Sequence, residues 1–341
     1  MSYTALKKQL LTSPKRWLVT GGAGFIGSHL IEQLLQLDQQ VISLDNLSTG
    51  YTKNIELAKA SATSEQQARL TVIEGDTRDP ETCQAACKNV DYILHQAALG
   101  SVPRSIDDPI ASHDSNVSGT VNIFTAAKNE SSVKRVVYAS SSSVYGDEPT
   151  LPKVEEKTGK LLSPYAATKA ICEVYADVFG RCYGLEISGL RYFNVFGSRQ
   201  DPKGAYAAVI PLWIQSMLDG EQVFINGDGK TSRDFTHVSN VVQANLLAAT
   251  STDIESTNSA FNIALGNRID LNQLFSALRS ALTNLQPSLD IPDAIHRDFR
   301  DGDITHSLAD ISHATNQLGF TTITPTEKGL RQTVENYAGT Q

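Results

Sequence analysis

Tyr165 and Lys169 lie four positions apart in Ser163-Pro164-Tyr165-Ala166-Ala167-Thr168-Lys169. A serine followed by proline reads as the start of a helix, and the i, i+4 spacing then sets both side chains on one face. A phenol, with an ordinary pKa of about 10, is a poor base at neutral pH, and an adjacent ammonium favours the phenolate. The pair is therefore expected to act as a general base on a hydroxyl group. The same spacing recurs at Tyr3 and Lys7. That copy precedes the first strand, has no serine cluster near it and is expected to be accidental.

Upstream, an apolar run ending at Ser140 passes into Ser141-Ser142-Ser143-Val144-Tyr145-Gly146. A hydroxyl at the carboxyl end of a parallel strand lies where α/β sheets bind ligands. The plain alternative is a polar loop whose serines bond their own backbone.

A third cluster, Gly21-Gly22-Ala23-Gly24-Phe25-Ile26-Gly27, sits between a hydrophobic strand and an amphipathic helix. Glycines are needed where backbone must approach a pyrophosphate, leaving N–H groups and the helix dipole aimed at the anion. Asp45 ends the next strand, where a carboxylate receives ribose hydroxyls. It would repel a 2′-phosphate, and no Arg follows it, so NAD rather than NADP is implied. Asp76, in Gly75-Asp76-Thr77-Arg78-Asp79, is a candidate for the adenine side, with turn capping as the alternative.

These groups need a scaffold. Strands are predicted at Trp17–Thr20, Val41–Asp45, Leu70–Glu74, Tyr92–His95, Arg135–Ser140 and Ile187–Tyr192. Helical periodicity marks Ile26–Leu37, Val117–Lys128 and Pro164–Phe179 between them. The alternation predicts an α/β fold with a doubly wound parallel sheet over residues 14–195. Residues 196–341 are expected to build mainly a smaller α/β substrate lobe, with segments returning to the sheet. Within them, 206–218 reads as a helix and Gly220–Asp234 as a stretch rich in Gly, Asp and Asn. Ser61–Gln67 reads as a surface loop or helix end.

The chain has 341 residues, 40% hydrophobic and 19% charged, ample for one large or two fused domains. Lys+Arg 29 against Asp+Glu 37 gives a formal charge of −8. With the basic residues scattered, nucleic acid and anionic membrane are not expected partners. Cys83, Cys87, Cys172 and Cys182 form no Cys-x-x-Cys pair and read as free thiols of a reducing compartment. Met1 to Pro14 shows no leader pattern, and no segment approaches the ~20 apolar residues of a membrane span. A cytoplasmic protein is expected. The seven histidines show no metal-ligand spacing, and no metal is expected.

Taken together, the glycine motif, the serine and Tyr-x-x-x-Lys resemble the extended short-chain dehydrogenase/reductase superfamily. The chain more closely resembles its nucleotide-sugar 4-epimerases, in Asp45–Gly50, His95–Ser105, Arg191–Gly197, Asn226–Gly229 and Arg233–Phe235. Gly100–Ser105 and Gly204–Pro211 are similar to segments of the UDP-N-acetylglucosamine 4-epimerases. Ser143-Val144 and Ala167 look more like UDP-glucuronate 4-epimerases, so a uronic or N-acetylhexosaminuronic acid is the alternative substrate.

The resemblance implies a Rossmann domain that holds NAD, with Asn46, Gln96 and Ala97 joining the cofactor residues above. Ser141 matches the catalytic hydroxyl, Tyr165 the base and Lys169 its partner. Asn194 and Arg233 match contacts to a UDP pyrophosphate, Arg300 and Asp303 contacts to phosphate and ribose, and Phe224 a neighbour of uracil. Ser101, Ser142, Ser143, Ala208 and Ser307 fall among the substrate residues. At the position of Ser307 the family is bulky where only plain hexoses are accepted and small where N-acetylated sugars are; a serine merely capping the next helix is the alternative. The family's four-helix bundle implies a homodimer through Val117–Lys128 and Pro164–Phe179. A dehydratase would need an acid just after the catalytic hydroxyl, where Ser142 and Ser143 stand. A non-catalytic NAD sensor would not need the Ser, Tyr and Lys together.

Overall fold

Trp17-Leu18-Val19-Thr20 is wholly buried, as a strand covered on both faces must be. Residues 1–204, 207–252, 259–299 and 305–339 are described by a computed structural model. In chain order the first half is α1 (Tyr3–Thr12), β1 (Arg16–Thr20), α2 (Phe25–Gln36), β2 (Gln40–Asp45), α3 (Thr52–Ala60), α4 (Ser64–Gln67), β3 (Leu70–Glu74), α5 (Pro80–Ala86), β4 (Tyr92–His95), α6 (Val102–Asp107), α7 (Pro109–His113), α8 (Gly119–Asn129), β5 (Arg135–Ser141), α9 (Pro164–Tyr183) and β6 (Ile187–Tyr192). The second half is β7 (Val195–Phe196), α10 (Val209–Leu218), β8 (Phe224–Asn226), β9 (Ser232–Arg233), β10 (Thr236–His237), α11 (Val238–Thr250), β11 (Ser259–Ile263), β12 (Ile269–Asp270), α12 (Leu271–Leu285), β13 (Ile295–Arg297) and α13 (Thr326–Ala338).

The expected doubly wound sheet is present. Seven parallel strands run in the order β11-β6-β5-β4-β1-β2-β3. One apolar layer joins Leu30, Ile31 and Leu34 of α2 to Leu246 and Leu247 of α11 and Leu6 and Leu10 of α1. The opposite layer joins Phe124 of α8 and Phe179 of α9 to Leu18, Val136 and Ile187 of the sheet. A third core, around Trp213, Phe275, Leu278 and Leu330, belongs to the C-terminal segments. Strand β11 pairs with β6, and α11 packs on the main sheet.

Three sequence expectations shift, and an element is added before β1. The segment before β1 is a helix: Ser2 caps it, and Tyr3, Leu6 and Leu10 form its buried stripe. Its Lys7 lies over the Tyr3 ring, 4.9 Å from the centroid, in an ordinary helical pair. The helix expected at Val117–Lys128 begins as α7, passes through a π turn at Asp114–Ser118 and continues as α8. Helix α9 runs on to Tyr183 because its first αL breaker is Gly184, with φ 68°. Finally, α10 starts at Val209, and the stretch from Gly220 to Asp234 contains β8 and β9, which pair with β13 and β12.

Candidate active site

The glycine turn between β1 and α2 is fixed by close approach. At Gly21, with φ +67°, a Cβ would stand 2.8 Å from the Ala97 nitrogen, and at Gly27 one would stand 2.1 Å from the Gly21 oxygen. Gly24 occupies the N-cap of α2 with no side chain to cap it, leaving first-turn N–H groups free for an anion. Asp45 braces this turn, its Oδ2 accepting from Ala23 N at 2.9 Å and its Oδ1 from Leu47 N at 2.8 Å.

Beside the turn opens a cleft of about 360 Å³. Its walls include Gly21, Gly24, Phe25, Ile26, Gly27, Asp45, Asn46, Gln96, Ala97, Tyr165 and Lys169. The cleft thus brings the expected cofactor residues together with two of the expected catalytic ones. Asp76 stands outside that lining, between Gly75 and Thr77, which are in it. Its carboxylate is paired with Arg78 at 2.6 Å and accepts from Asn46 Nδ2 at 2.8 Å. The Arg78 bond holds it well below the usual carboxylate range. The turn role weighed for Asp76 is therefore occupied, with Arg78 N donating to Oδ1 at 2.8 Å.

A polar floor that the sequence did not reveal closes the cleft. Gln96 Nε2 donates to Asn245 Oδ1 at 3.0 Å, Tyr192 Oη donates to Gln96 Oε1 at 3.0 Å, and Asn245 Nδ2 donates to Tyr192 Oη at 2.9 Å. His95 bridges Thr20 Oγ1 at 2.7 Å and Thr120 Oγ1 at 3.0 Å. Burial, then the Lys169 charge, lowers its pKa to about 3, so it stays neutral.

On the helix that carries Tyr165 and Lys169, Ser163 caps the first turn and Pro164 opens it. Lys169 is 5% exposed; its Nζ donates to Ala139 O at 2.8 Å and lies 5.9 Å from the Tyr165 ring centroid. Tyr165 N donates to Ser105 Oγ at 2.9 Å. Asn116, in the π turn, holds both backbone groups of Leu99 and donates to Thr168 Oγ1 at 3.0 Å. Ser105 and Asn116 thus splice the 99–105 segment to the helix of Tyr165 and Lys169. No periodicity in the sequence marks either residue.

Ser141 ends β5 and accepts from Ser143 N at 3.1 Å, so the local backbone bond expected of a serine loop is made. Its hydroxyl proton remains available. Ser143 Oγ is buried and has no partner. Behind them, Ser140 Oγ donates to Glu173 Oε1 at 2.5 Å, and Glu173 pairs with Arg191 at 2.8 Å. Glu173 follows Lys169 by one helical turn, a signal that could have been read as a third group on that face.

The remaining substrate candidates lie outside the cleft lining. Ser101 has φ 101° and caps α6, an uncommon backbone for a residue with a side chain. Asn194, with φ 36°, donates to Asp234 O at 3.3 Å. Arg233 bonds the Ser232 and Thr305 carbonyls. The Arg297 guanidinium stacks on Phe224, 3.2 Å from the ring centroid, and so covers one of its faces. Ala208 is the residue before α10. Ser307 does not cap a helix: it lies in an extended segment, its N donating to Ser232 O at 3.0 Å. Arg300 and Asp303 lie outside the described residues. Among the described residues, no helix is long and apolar enough to cross a membrane, and no cluster of three or more His, Cys, Asp or Glu could hold a metal.

A parallel doubly wound sheet with a glycine turn after its first strand, and a Tyr–Lys helix facing the same cleft, defines a dinucleotide-binding Rossmann protein. The chain belongs to the NAD dependent epimerase/dehydratase family, whose model matches residues 17–264, and its cofactor is NAD. It is 35% identical over 323 residues to the UDP-glucose 4-epimerase of Mycolicibacterium smegmatis, covering 94% of this chain and 97% of that one. With UDP-glucuronate 4-epimerase 4 of Arabidopsis thaliana it shares 31% identity over 337 residues, covering 94% and 74% respectively. A solved UDP-N-acetylglucosamine 4-epimerase from Methanobrevibacter ruminantium, in complex with UDP-N-acetylmuramic acid, superposes with a TM-score of 0.86 at 40% identity, covering 96% of this chain and 99% of that one.

Proposed function

We propose that this protein is an NAD-dependent 4-epimerase of a UDP-N-acetylhexosamine, interconverting UDP-N-acetylglucosamine and UDP-N-acetylgalactosamine. The observation that carries the reading is the meeting of Tyr165 and Lys169 with the glycine turn in one cleft, while serines alone follow Ser141. NAD fits the turn because Gly24 at the N-cap of α2 carries no side chain and leaves the first-turn N–H groups free for its pyrophosphate, while Gly21 and Gly27 allow the close backbone packing that shapes the turn. When bound it accepts a hydride from sugar carbon 4 and later returns it.

Tyr165 removes the proton of the 4-hydroxyl, Ser141 holds that oxygen, and Lys169 stabilises the phenolate from the carbonyl of Ala139. After the keto-sugar turns over about its pyrophosphate tether, the opposite face of carbon 4 receives the hydride and the phenol gives the proton back to the carbon-4 oxygen. There is no net redox change. Asn194 and Arg233 hold the tether, with Arg300 and Asp303 beside them, and Ser101, Ser142, Ser143, Ala208 and Ser307 form the sugar wall. Phe224 offers uracil the face that Arg297 leaves open. Residues 14–195 bind the cofactor, and those from 196 onward form mainly the sugar lobe.

In the pair of chains we envisage, α9 meets its counterpart; Val174 is 64% exposed and Tyr175 39%, apolar area that such a contact would cover. The four free thiols suit the cytoplasm. Ser143, Val144 and Ala167 favour a uronic acid sugar as the second reading. Purified protein given UDP-N-acetylglucosamine, UDP-glucose, UDP-glucuronate and UDP-N-acetylglucosaminuronate separately, without added NAD, is followed by anomeric proton NMR. Conversion of the N-acetylhexosamine is expected. Turnover of a uronate alone transfers the reading to that sugar, and NADH accumulating with product ends the epimerase reading.

A further inference from the structure

Asp234 is the one fully buried carboxylate among the described residues, at 0% exposure. Its Oδ1 accepts from Leu265 N at 2.9 Å, and its Oδ2 from Gly266 N at 3.0 Å and Ala309 N at 3.4 Å. On the other side its carbonyl accepts from Asn194 Nδ2 at 3.3 Å. Four chain segments therefore meet on one residue: the turn after β6, the end of β9, the turn after β11 and the 305–310 segment.

Each of these segments matters to the sugar site. Asn194 stands in the first, Arg233 is the neighbour of Asp234 in the second, and Ser307 lies in the fourth. The third continues β11, the edge strand of the NAD-binding sheet. Main-chain pairing of Ser232 with Thr305 and Ser307 already joins the second and fourth. The Asp234 carboxylate ties both of them to the sheet. A buried carboxylate costs free energy unless its lone pairs are filled, and here backbone N–H groups fill them. Burial nonetheless pushes its pKa up to about 6, against the pull of those donors.

We propose that Asp234 is a positioning residue for the nucleotide-sugar: its carboxylate clamps the turn after β11 and the 305–310 segment to the strand of Arg233, fixing Asn194, Arg233 and Ser307 relative to the cofactor cleft. The inference rests on the function proposed above. It touches neither the hydride nor the proton, so its loss should appear in substrate binding and leave the chemical step and the cofactor in place.

The test is Asp234→Asn in the full chain with its bound NAD. The amide keeps the shape but turns an NH2 toward N–H donors, orphaning some of them. A KM for UDP-N-acetylglucosamine raised about tenfold is expected, with kcat within about twofold and NAD content unchanged. Calorimetric affinity for UDP alone should fall by a similar factor. Asp234→Glu, which keeps the charge, should recover part of both losses and serves as the readout if the Asn variant does not fold. Unchanged KM and UDP affinity in the variants overturn the proposal, as does a fall in kcat that tracks lost NAD. Wild-type protein that binds no UDP instead sinks the functional reading, which separates the two failures.

Discussion

The Lys169 ammonium is anchored 2.8 Å from the carbonyl of Ala139 and stands 5.9 Å from the centre of the Tyr165 ring. Strand β5 thus holds the cation beside the helix of the phenol while leaving the phenol oxygen free for a substrate. Because Tyr165 lies at the cleft wall, losing its one oxygen creates no cavity in the core. Tyr165→Phe is expected to lower epimerase turnover by about 10²–10⁴, the usual worth of a general acid–base group, with thermal stability and NAD content unchanged. Near wild-type turnover in the purified variant would remove Tyr165 from the chemistry.

Local patterns made much of this site legible. The glycine turn, the strand-terminal Asp45 and the Tyr–Lys spacing are all short-range, and the run Trp17–Thr20, too short for a helix and followed by a glycine turn, reads as a covered strand. What escaped has one of two physical causes. The Gln96–Asn245 and Ser105–Tyr165 bonds join residues far apart in the chain, where no periodicity points from one partner to the other. Strands of two or three residues such as β8 and β9 are too short to show alternation, and their Gly, Asp and Asn neighbours read as loop. Helix α1 is a different case: Tyr3, Leu6 and Leu10 carried the helical stripe, but a scatter of leucines among lysines masked it.

Acid should destabilise the fold through its buried histidines. Burial, before the charges of Arg199 and His237, lowers His29 to about 3; burial likewise takes His95 to about 3 and His237 to about 4. These groups stay neutral in the fold but take protons in the unfolded chain below about 6.5. Stability is therefore full above that pH and is lost as pH falls toward 4. Asp234 works the other way, since its raised carboxyl, at about 6, gains a proton first in the fold. Three protons less one, at about 1.4 kcal/mol per unit each, give a loss of about 4 kcal/mol between pH 6.5 and 5. Urea unfolding at the two pH values reads this directly, and equal midpoints would refute it.

Cofactor choice should turn on Asp45. Asp45 lines the cleft and accepts from Ala23 N and Leu47 N, so it steadies the glycine turn and, in the proposed function, also meets the ribose. Asp45→Ala is expected to weaken NAD by about 1–3 kcal/mol, the range for a hydrogen bond to a charged group. Affinity for NADP should fall less, because the charge that repels the 2′-phosphate goes too. Fluorescence titration of the stripped protein with NADH and NADPH measures the ratio. A ratio identical to wild type would confine Asp45 to bracing the turn.

Substrate size is expected to be set at Ser307. The segment it occupies is extended and paired with Ser232, beside Arg233, so the alternative of a helix cap has no helix to act on. Its position is held by the backbone pairing with Ser232 and by the Asp234 clamp on the same segment, neither of which uses the Ser307 side chain. In the proposed reaction the 4-keto sugar must present both faces to the nicotinamide, and the group on carbon 2 sweeps the wall as it turns. A hydroxyl needs little room there, whereas an acetamido group needs the space that a serine leaves. Ser307→Tyr fills that space with a ring, a steric block against one competitor. Activity on UDP-N-acetylglucosamine should fall by about tenfold or more, since an overlap of one small group is worth about 1–3 kcal/mol, while activity on UDP-glucose is retained. The two substrates are assayed side by side on one preparation. Proportional loss on both would show that the tyrosine disturbs the lobe as a whole and that the size of the sugar is read elsewhere.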